Sequence, residues 1–439
     1  MIGYTRLRRP NSFRLRLVCL VFCLAGFAPV AAQEWSRFRG PNGQGVSAAT
    51  TIPTQWSAAD YNWKVRLPGL GHAQPVLWGE KVFVSSTLPD GSARVISCLS
   101  TTFGGVLWEY SFPSSEYETH KFNNMAASTP VVGEDALFVV FSHPKRVVAA
   151  ALTHDGDLKW ERPIGEYRGS HGYAASPILF EDLLIVPNQL RVRKDKSPVP
   201  DSSIVALERK TGKVRWKTPR EPSLVSFSTP CLFRAADSEG AATLSPQLIS
   251  LSKAQGIAAL DPRTGKPLWQ ARVFDKRTCS SPVLAGGLIF GSCGSGGGGN
   301  YVVGVRPGGS GDVTDTHVAY EVRKAAPYVP TPVATDGRLY LWSQNGGIVS
   351  CLEASSGKTL WQGRARGRYF GSPVWVGGNL YAISDAGEVV VVGTGDSFDV
   401  RGRHSLGEES HSTPAVAGGR MYLRTLNHVV SIGGVRSES

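Results

Sequence analysis

One short pair of residues recurs through this chain and limits what it can fold into. Prolines stand at 75, 130, 177, 230, 282, 332, 373 and 414; seven follow Ser or Thr and one follows Gln74. The intervals run from 41 to 55 residues. Their mean of about 48 is the length of a four-stranded propeller blade. After each proline comes a short apolar run, a Gly-, Asp- or Glu-bearing turn and a second apolar run. Pro373 through Leu380-Tyr381 and Pro414 through Met421-Tyr422 keep the same offsets. Apolar alternation around a short polar turn signals a β-hairpin, and proline at the head of a strand removes no required donor.

A second hairpin follows in most units. Ala206-Leu-Glu-Arg-Lys-Thr-Gly-Lys-Val-Arg-Trp216, Ala259 to Trp269 and Cys351 to Trp361 are close copies. Ala151 to Trp160 is one residue shorter, and Cys98 to Trp108 is looser. In the second copy Asp261 opens a turn, Pro262 presets φ, and Gly265 accepts the left-handed conformation that re-enters the strand. Each strand then delivers an aromatic at a fixed offset. Trp63, Trp108, Trp160, Trp216, Trp269 and Trp361 take this structural docking position, and Tyr320 substitutes once. An indole hiding about 200 Å² between neighbouring sheets contributes at most roughly 5 kcal/mol.

The eighth unit, from Pro414 to Ile432, stops without a closing turn or tryptophan. Tyr61 to Arg66 reads as its missing outer strand. The expectation is an all-β, eight-bladed propeller of four-stranded antiparallel blades over 59–439. An N-terminal strand in the C-terminal blade closes it and removes open sheet edges. Residues 33–58 form an extended lead-in. With 41% hydrophobic and 19% charged residues, the chain is neither disordered nor a polytopic membrane protein.

Residues 1–32 read as a signal peptide. Arg6, Arg8, Arg9, Arg14 and Arg16 precede an apolar stretch from Leu17 to Val30, and Ala31-Ala32 precede a cut at Gln33. That stretch is too short to span a bilayer comfortably, so no transmembrane span is expected after cleavage. Export to the periplasm or exterior follows. The leader holds five of the net twelve positive charges, leaving +7. The only basic run, Arg191 to Lys196, is broken by Asp195 and reads as a solvated loop, so no nucleic-acid partner is expected. The insertion from Ala235 to Ser245 reads as a surface loop. Five cysteines remain, an odd number. Cys279 and Cys293 flank a hairpin turn and form the candidate disulfide; Cys98 and Cys351 read as small buried thiols.

The repeat [Ala/Cys]-Leu-[Asp/Glu]-x-x-[Thr/Ser]-Gly-Lys-x-x-Trp at 206–216, 259–269 and 351–361 resembles the pyrroloquinoline-quinone (PQQ)-type β-propeller repeat. Trp35 to Gly45 and Gly311 to Val318 look like stretches of exported PQQ-like propellers of planctomycete-type bacteria. The family holds both quinoprotein dehydrogenases and the envelope-assembly scaffold BamB. The dehydrogenase branch implies PQQ with calcium, a vicinal disulfide and a Glu, Asn and Asp set. This chain has no adjacent cysteines, and that set does not map onto it. The BamB branch implies protein partners in the envelope and no cofactor.

Function on a propeller sits in the central funnel, on loops entering the innermost strands. Here those loops precede each Ser/Thr-Pro. They carry His72, His171, Tyr173, Arg277, Tyr328, Arg368, Tyr369 and His411 as candidate ligand-binding residues for an anion or a metal. Ring closure makes the blades of His72 and His411 neighbours. No metal site of recognisable spacing exists, and no catalytic residue is assignable. Gly294 to Gly299 precedes a strand, so it is a loop and no phosphate cradle. The reading is a monomeric, non-catalytic binding or assembly scaffold of the envelope. The alternatives are a quinone- or metal-dependent oxidoreductase and a carbohydrate or peptide binder.

Overall fold

A computed structural model describes residues 35–167, 171–190, 201–234 and 245–434. The leader, the basic loop at 191–196 and the insertion up to residue 244 lie outside the described residues.

Blade 1 is built from Val76–Trp78, Lys81–Thr87, Ala93–Ser100 and Val106–Pro113, antiparallel in chain order. The same meander repeats over 131–166, 178–219, 231–271, 283–322, 333–364 and 374–405, which we number blades 2 to 7. The inner strands are continuous apolar runs because neighbouring blades cover both of their faces. Outer strands alternate instead: in Val214–Pro219, Trp216 and Thr218 are buried while the residues between them face solvent. The apolar clusters lie between neighbouring blades, as when Phe138 and Trp160 of blade 2 meet Leu184 and Val205 of blade 3.

Blade 8 consists of Ala415–Ala417, Arg420–Arg424 and His428–Gly433. Trp63–Arg66 adds to it antiparallel, with Trp63 opposite Ser431 and Arg66 opposite His428. The two ends of the chain thus share one sheet, and the eight-bladed ring expected from the repeats is closed.

Near the axis, the repeated Ser/Thr residues join the blades. The amide of Gln74 donates to Thr129 Oγ1, Thr129 to Ser176 Oγ and Ser176 to Thr229 Oγ1, at 3.0, 3.0 and 3.3 Å. The chain continues from Thr229 to Ser281, Thr331, Ser372 and Thr413 at 2.9–3.0 Å. Each hydroxyl satisfies a buried backbone donor of the preceding blade. Gln74 is the exception at the seam for a physical reason: its longer side chain donates to Pro414 O and accepts from the Arg39 amide.

Farther out, each aromatic docks on the turn of the following blade. Trp63, Trp108, Trp160 and Trp216 donate their indole N–H to the carbonyls of Thr101, His154, Arg209 and Pro262 at 2.9–3.1 Å. Tyr320 and Trp361 do the same toward Ala354 and Gly395. In the turns met by Trp63, Trp108, Trp160, Trp216 and Tyr320 a glycine lies under the ring. Gly265 has φ 73°, and a Cβ there would stand 2.5 Å from the Trp216 ring. Two junctions differ. Trp269 bonds Gln247 of its own blade, and Gly311–Asp312 reaches from blade 5 to pair with its strand. Between blades 7 and 8, Trp56 fills the gap by stacking on His404, with ring centroids 3.6 Å apart.

Residues 35–47 cross the axis. Trp35 O and Ser36 O accept from Leu77 and Val132 in blades 1 and 2. Arg37 donates to Pro230 O of blade 4, and Arg39 to Thr331 O and Pro332 O of blade 6. Asn42 and Gln44 bond the backbones of Leu232 and Leu284 in blades 4 and 5. Val46–Ser47 then pairs parallel with Val374–Val376 of blade 7. Burial lowers the Arg37 and Arg39 guanidinium pKa values to about 10 and about 9, which leaves both charged at neutral pH. The N-terminal segment thus bonds inner-strand backbone groups of blades 1, 2, 4, 5, 6 and 7 that would otherwise face the channel.

Two outcomes test this account. Gly265→Ala, strained by its φ and by Trp216, should lose about 2–5 kcal/mol in denaturant unfolding. Gly287→Ala shares the positive φ but meets open space, and should lose only about 1–2 kcal/mol. Deleting residues 33–66 should leave His428–Gly433 unpaired and give aggregates on size exclusion; a monomeric, equally stable product would contradict ring closure.

Candidate functional site

Above the hydroxyl belt lies a cavity of about 370 Å³. Thr129, Ser176, Thr229, Thr331, Ser372 and Thr413 line it together with Phe38 of the crossing segment. Of the eight funnel residues named from the sequence, His72, His171, Arg277, Tyr328 and His411 face this one space.

His72 and His411 do meet across the seam, with ring centroids 4.4 Å apart and planes inclined by 30°. His411 Nδ1 lies 3.0 Å from Phe122 O, and its ring packs on Phe370. His72 Nδ1 is buried without a hydrogen-bond partner. Its neighbour Arg424 is fully buried and donates to Ala73 O and Ser85 O at 2.9 and 2.7 Å. Burial, then His411, then Arg424 hold the His72 pKa well below the ordinary 6.5, and burial lowers that of His411.

The other side of the cavity centres on Arg277. Its Nη1 lies 3.4 Å from both His171 Nε2 and Tyr328 Oη, and its Nε is buried without a partner. His171 stacks on His120 with centroids 5.0 Å apart. Burial pushes the Tyr328 phenol up, and pushes the Cys279 thiol to about 11, so both stay protonated at neutral pH.

The remaining three candidates lie elsewhere. Tyr173 is buried between blades 2 and 3 and donates to Pro187 O at 2.9 Å. Tyr369 is fully buried edge-on to Trp342. Arg368 is not among the lining residues; it pairs with Asp385 and stands over the rings of Phe122 and Phe370. The shared offset from proline does not place these side chains alike, because small differences in each loop turn them toward core or cavity.

The expected Cys279–Cys293 disulfide is corrected: both are free thiols. Cys279 lines the cavity, whereas Cys293 packs in the apolar cluster with Trp269 and Tyr301. The two side chains belong to different environments, so hairpin symmetry in sequence did not bring the sulfurs together.

Sequence reasoning missed His120, Phe122 and Asn123, which the loop between blades 1 and 2 brings over the cavity. Asn123 Nδ2 donates to His171 O at 2.6 Å. The available signal was length: Pro75 to Pro130 is the longest interval of the repeat.

No described lining residue carries a carboxylate. A calcium-bound quinone, implied by the dehydrogenase resemblance, needs hard oxygen donors around the ion. No group of three or more His, Cys, Asp and Glu able to hold a metal occurs among the described residues. The donor set does not fit that pair.

The histidine shifts have a sign. Both imidazoles protonate more readily in the unfolded chain, so unfolding takes up protons below the ordinary pKa of 6.5. Stability contributed by these groups should be level above that pH. It should fall as pH drops through 6.5 toward the lowered folded values. Denaturant titrations of wild type and His72→Gln should show a shallower acid loss in the variant.

A family model described as outer membrane protein assembly factor BamB matches residues 41–218, 200–303 and 253–400. The tetrathionate hydrolase of Acidithiobacillus ferrooxidans is 23% identical over 234 residues, 52% of this chain and 42% of that protein. The match thus spans less than half the length of that curated relative. Among solved structures, BamB from Moraxella catarrhalis superposes with TM-score 0.57 at 14% identity, covering 90% of this chain and 99% of that chain. The computationally designed Ika8 protein has TM-score 0.57 at 10% identity, covering 84% of this chain and 98% of that chain. At such identities these superpositions speak for the ring fold alone. The family match, in contrast, runs from residue 41 to residue 400, and the chain belongs to the BamB-like family of PQQ-type β-propellers.

Proposed function

We propose that the protein is an exported, non-catalytic binding scaffold of the cell envelope, released from its leader at Gln33. The ring acts as a monomeric, rigid support, and the loops around the funnel engage an envelope protein. The observation that carries this reading is the crossing segment. Ser36 bonds blade 2 and Arg39 bonds blade 6, so residues 35–45 are tied to opposite sides of the axis, which favours a cup that holds a partner over a channel that passes one. Family membership agrees with a scaffold role. The polar groups of the cavity are imidazoles, hydroxyls, amides, a thiol and one guanidinium, which can hydrogen-bond a partner, and no described lining residue carries a carboxylate. Among the described residues no helix is long and apolar enough to cross a membrane.

The test uses the full chain with a C-terminal tag in its native host. The expected result is a mature N-terminus at Gln33 and a stoichiometric complex with an envelope protein that survives gel filtration. Retention in the cytoplasm would overturn export. Dye-linked alcohol or sugar oxidation after reconstitution with PQQ and calcium would replace the scaffold with an oxidoreductase.

A further inference from the structure

The polar groups around Arg277 carry unused hydrogen-bonding capacity beside an open cavity. Among the described residues Arg277 makes no ion pair, and its two side-chain contacts, both at 3.4 Å, exceed the usual range for hydrogen bonds. Its Nε is buried with no partner, as is His72 Nδ1 on the opposite wall. Native proteins rarely leave buried polar groups unsatisfied, and one that lies beside an open cavity can be met by a group from outside. The guanidinium presents a planar fork that matches a carboxylate.

The rest of the cavity narrows the acceptor. Phe227 donates its amide to Thr278 O at 3.0 Å and so stands beside Arg277, while Phe122 and Phe370 form the far wall and Phe38 the floor. Aromatic faces take flat apolar groups in stacked or tilted contact. Cys279 and Tyr328 stay protonated, so neither repels an anion. A cavity of about 370 Å³ holds a bicyclic ring.

We propose that this cavity binds a flat, apolar organic carboxylate without a metal, its head on Arg277 and Tyr328 and its body against Phe227, Phe122 and Phe370. The cavity lies within the funnel whose surrounding loops are proposed to engage the partner, and an acid can bind there with or without that partner. A cavity that takes no acid leaves the envelope complex intact, and a chain without envelope partners leaves the cavity chemistry intact.

The probe is 2-naphthoate, titrated calorimetrically into the full mature chain at neutral pH, with 2-naphthamide as its uncharged isostere and sulfate as an anion without a ring. Naphthoate should bind at least about tenfold tighter than the amide or sulfate and raise the melting temperature by mass action. Arg277→Gln should weaken naphthoate by about tenfold or more at unchanged melting temperature without ligand. Tyr328→Phe, which removes only a hydroxyl, should weaken it severalfold and serves if the arginine variant does not fold. Absence of naphthoate binding at millimolar concentration, equal binding of the amide, equal binding of sulfate, or unchanged affinity in a folded Arg277→Gln variant would each overturn the proposal.

Discussion

Backbone amides at the centre of the ring have no strand beside them, and the hydroxyl belt is what bonds them. From Gln74 to Thr413, each amide donates to the side chain of the next blade's Ser or Thr. A buried amide left open would cost about 1–3 kcal/mol, so a belt of seven such bonds couples every blade to its successor. Proline after each hydroxyl contributes by absence, since it brings no further donor to a place without room for an acceptor. At the seam the rule changes. Gln74 spans the gap to Pro414, and Arg424 secures Ala73 and Ser85 from within the core.

The outer contacts repeat the same logic with larger groups. An indole must lie flat on the next blade's turn, so that turn needs a residue without a side chain at a left-handed position. Tryptophan and glycine in the repeat are therefore two halves of one contact, made between different copies. Where a copy departs from the pattern, another segment supplies the wedge: Val313 beside Trp269, and Trp56 on His404. The N-terminal segment serves three purposes in sequence order, closing the floor, wedging blades 7 and 8, and completing blade 8.

The cavity follows from these constraints. Its floor is the belt and Phe38, and its upper wall is the loop carrying His120 and Phe122, latched by Arg368 over Phe122 and by His411 against Phe122 O. Carboxylates near the rim are engaged outside it, as Asp385 is by Arg368. What faces inward includes the neutral pair His72 and His411, the imidazoles of His120 and His171, one guanidinium without a counter-ion among the described residues, and aromatic rings. That combination is suited to binding an anion and ill suited to holding a hard cation.

Blade number, blade boundaries, closure by Trp63–Arg66 and the meeting of His72 with His411 were legible in the chain itself. Periodic patterns report local geometry, and ring closure then leaves one neighbour for each end. The paths of irregular segments were not legible. Nothing periodic says that Arg37 and Arg39 bridge the axis, that Tyr173 and Tyr369 turn into the core, or that Cys279 and Cys293 face different surroundings. A loop side chain takes its direction from contacts hundreds of residues away, such as Arg39 with Thr331, and those contacts exist only once the ring has formed. Repeat identity therefore determined the fold, while packing at the axis decided which of the funnel's polar residues share one cavity.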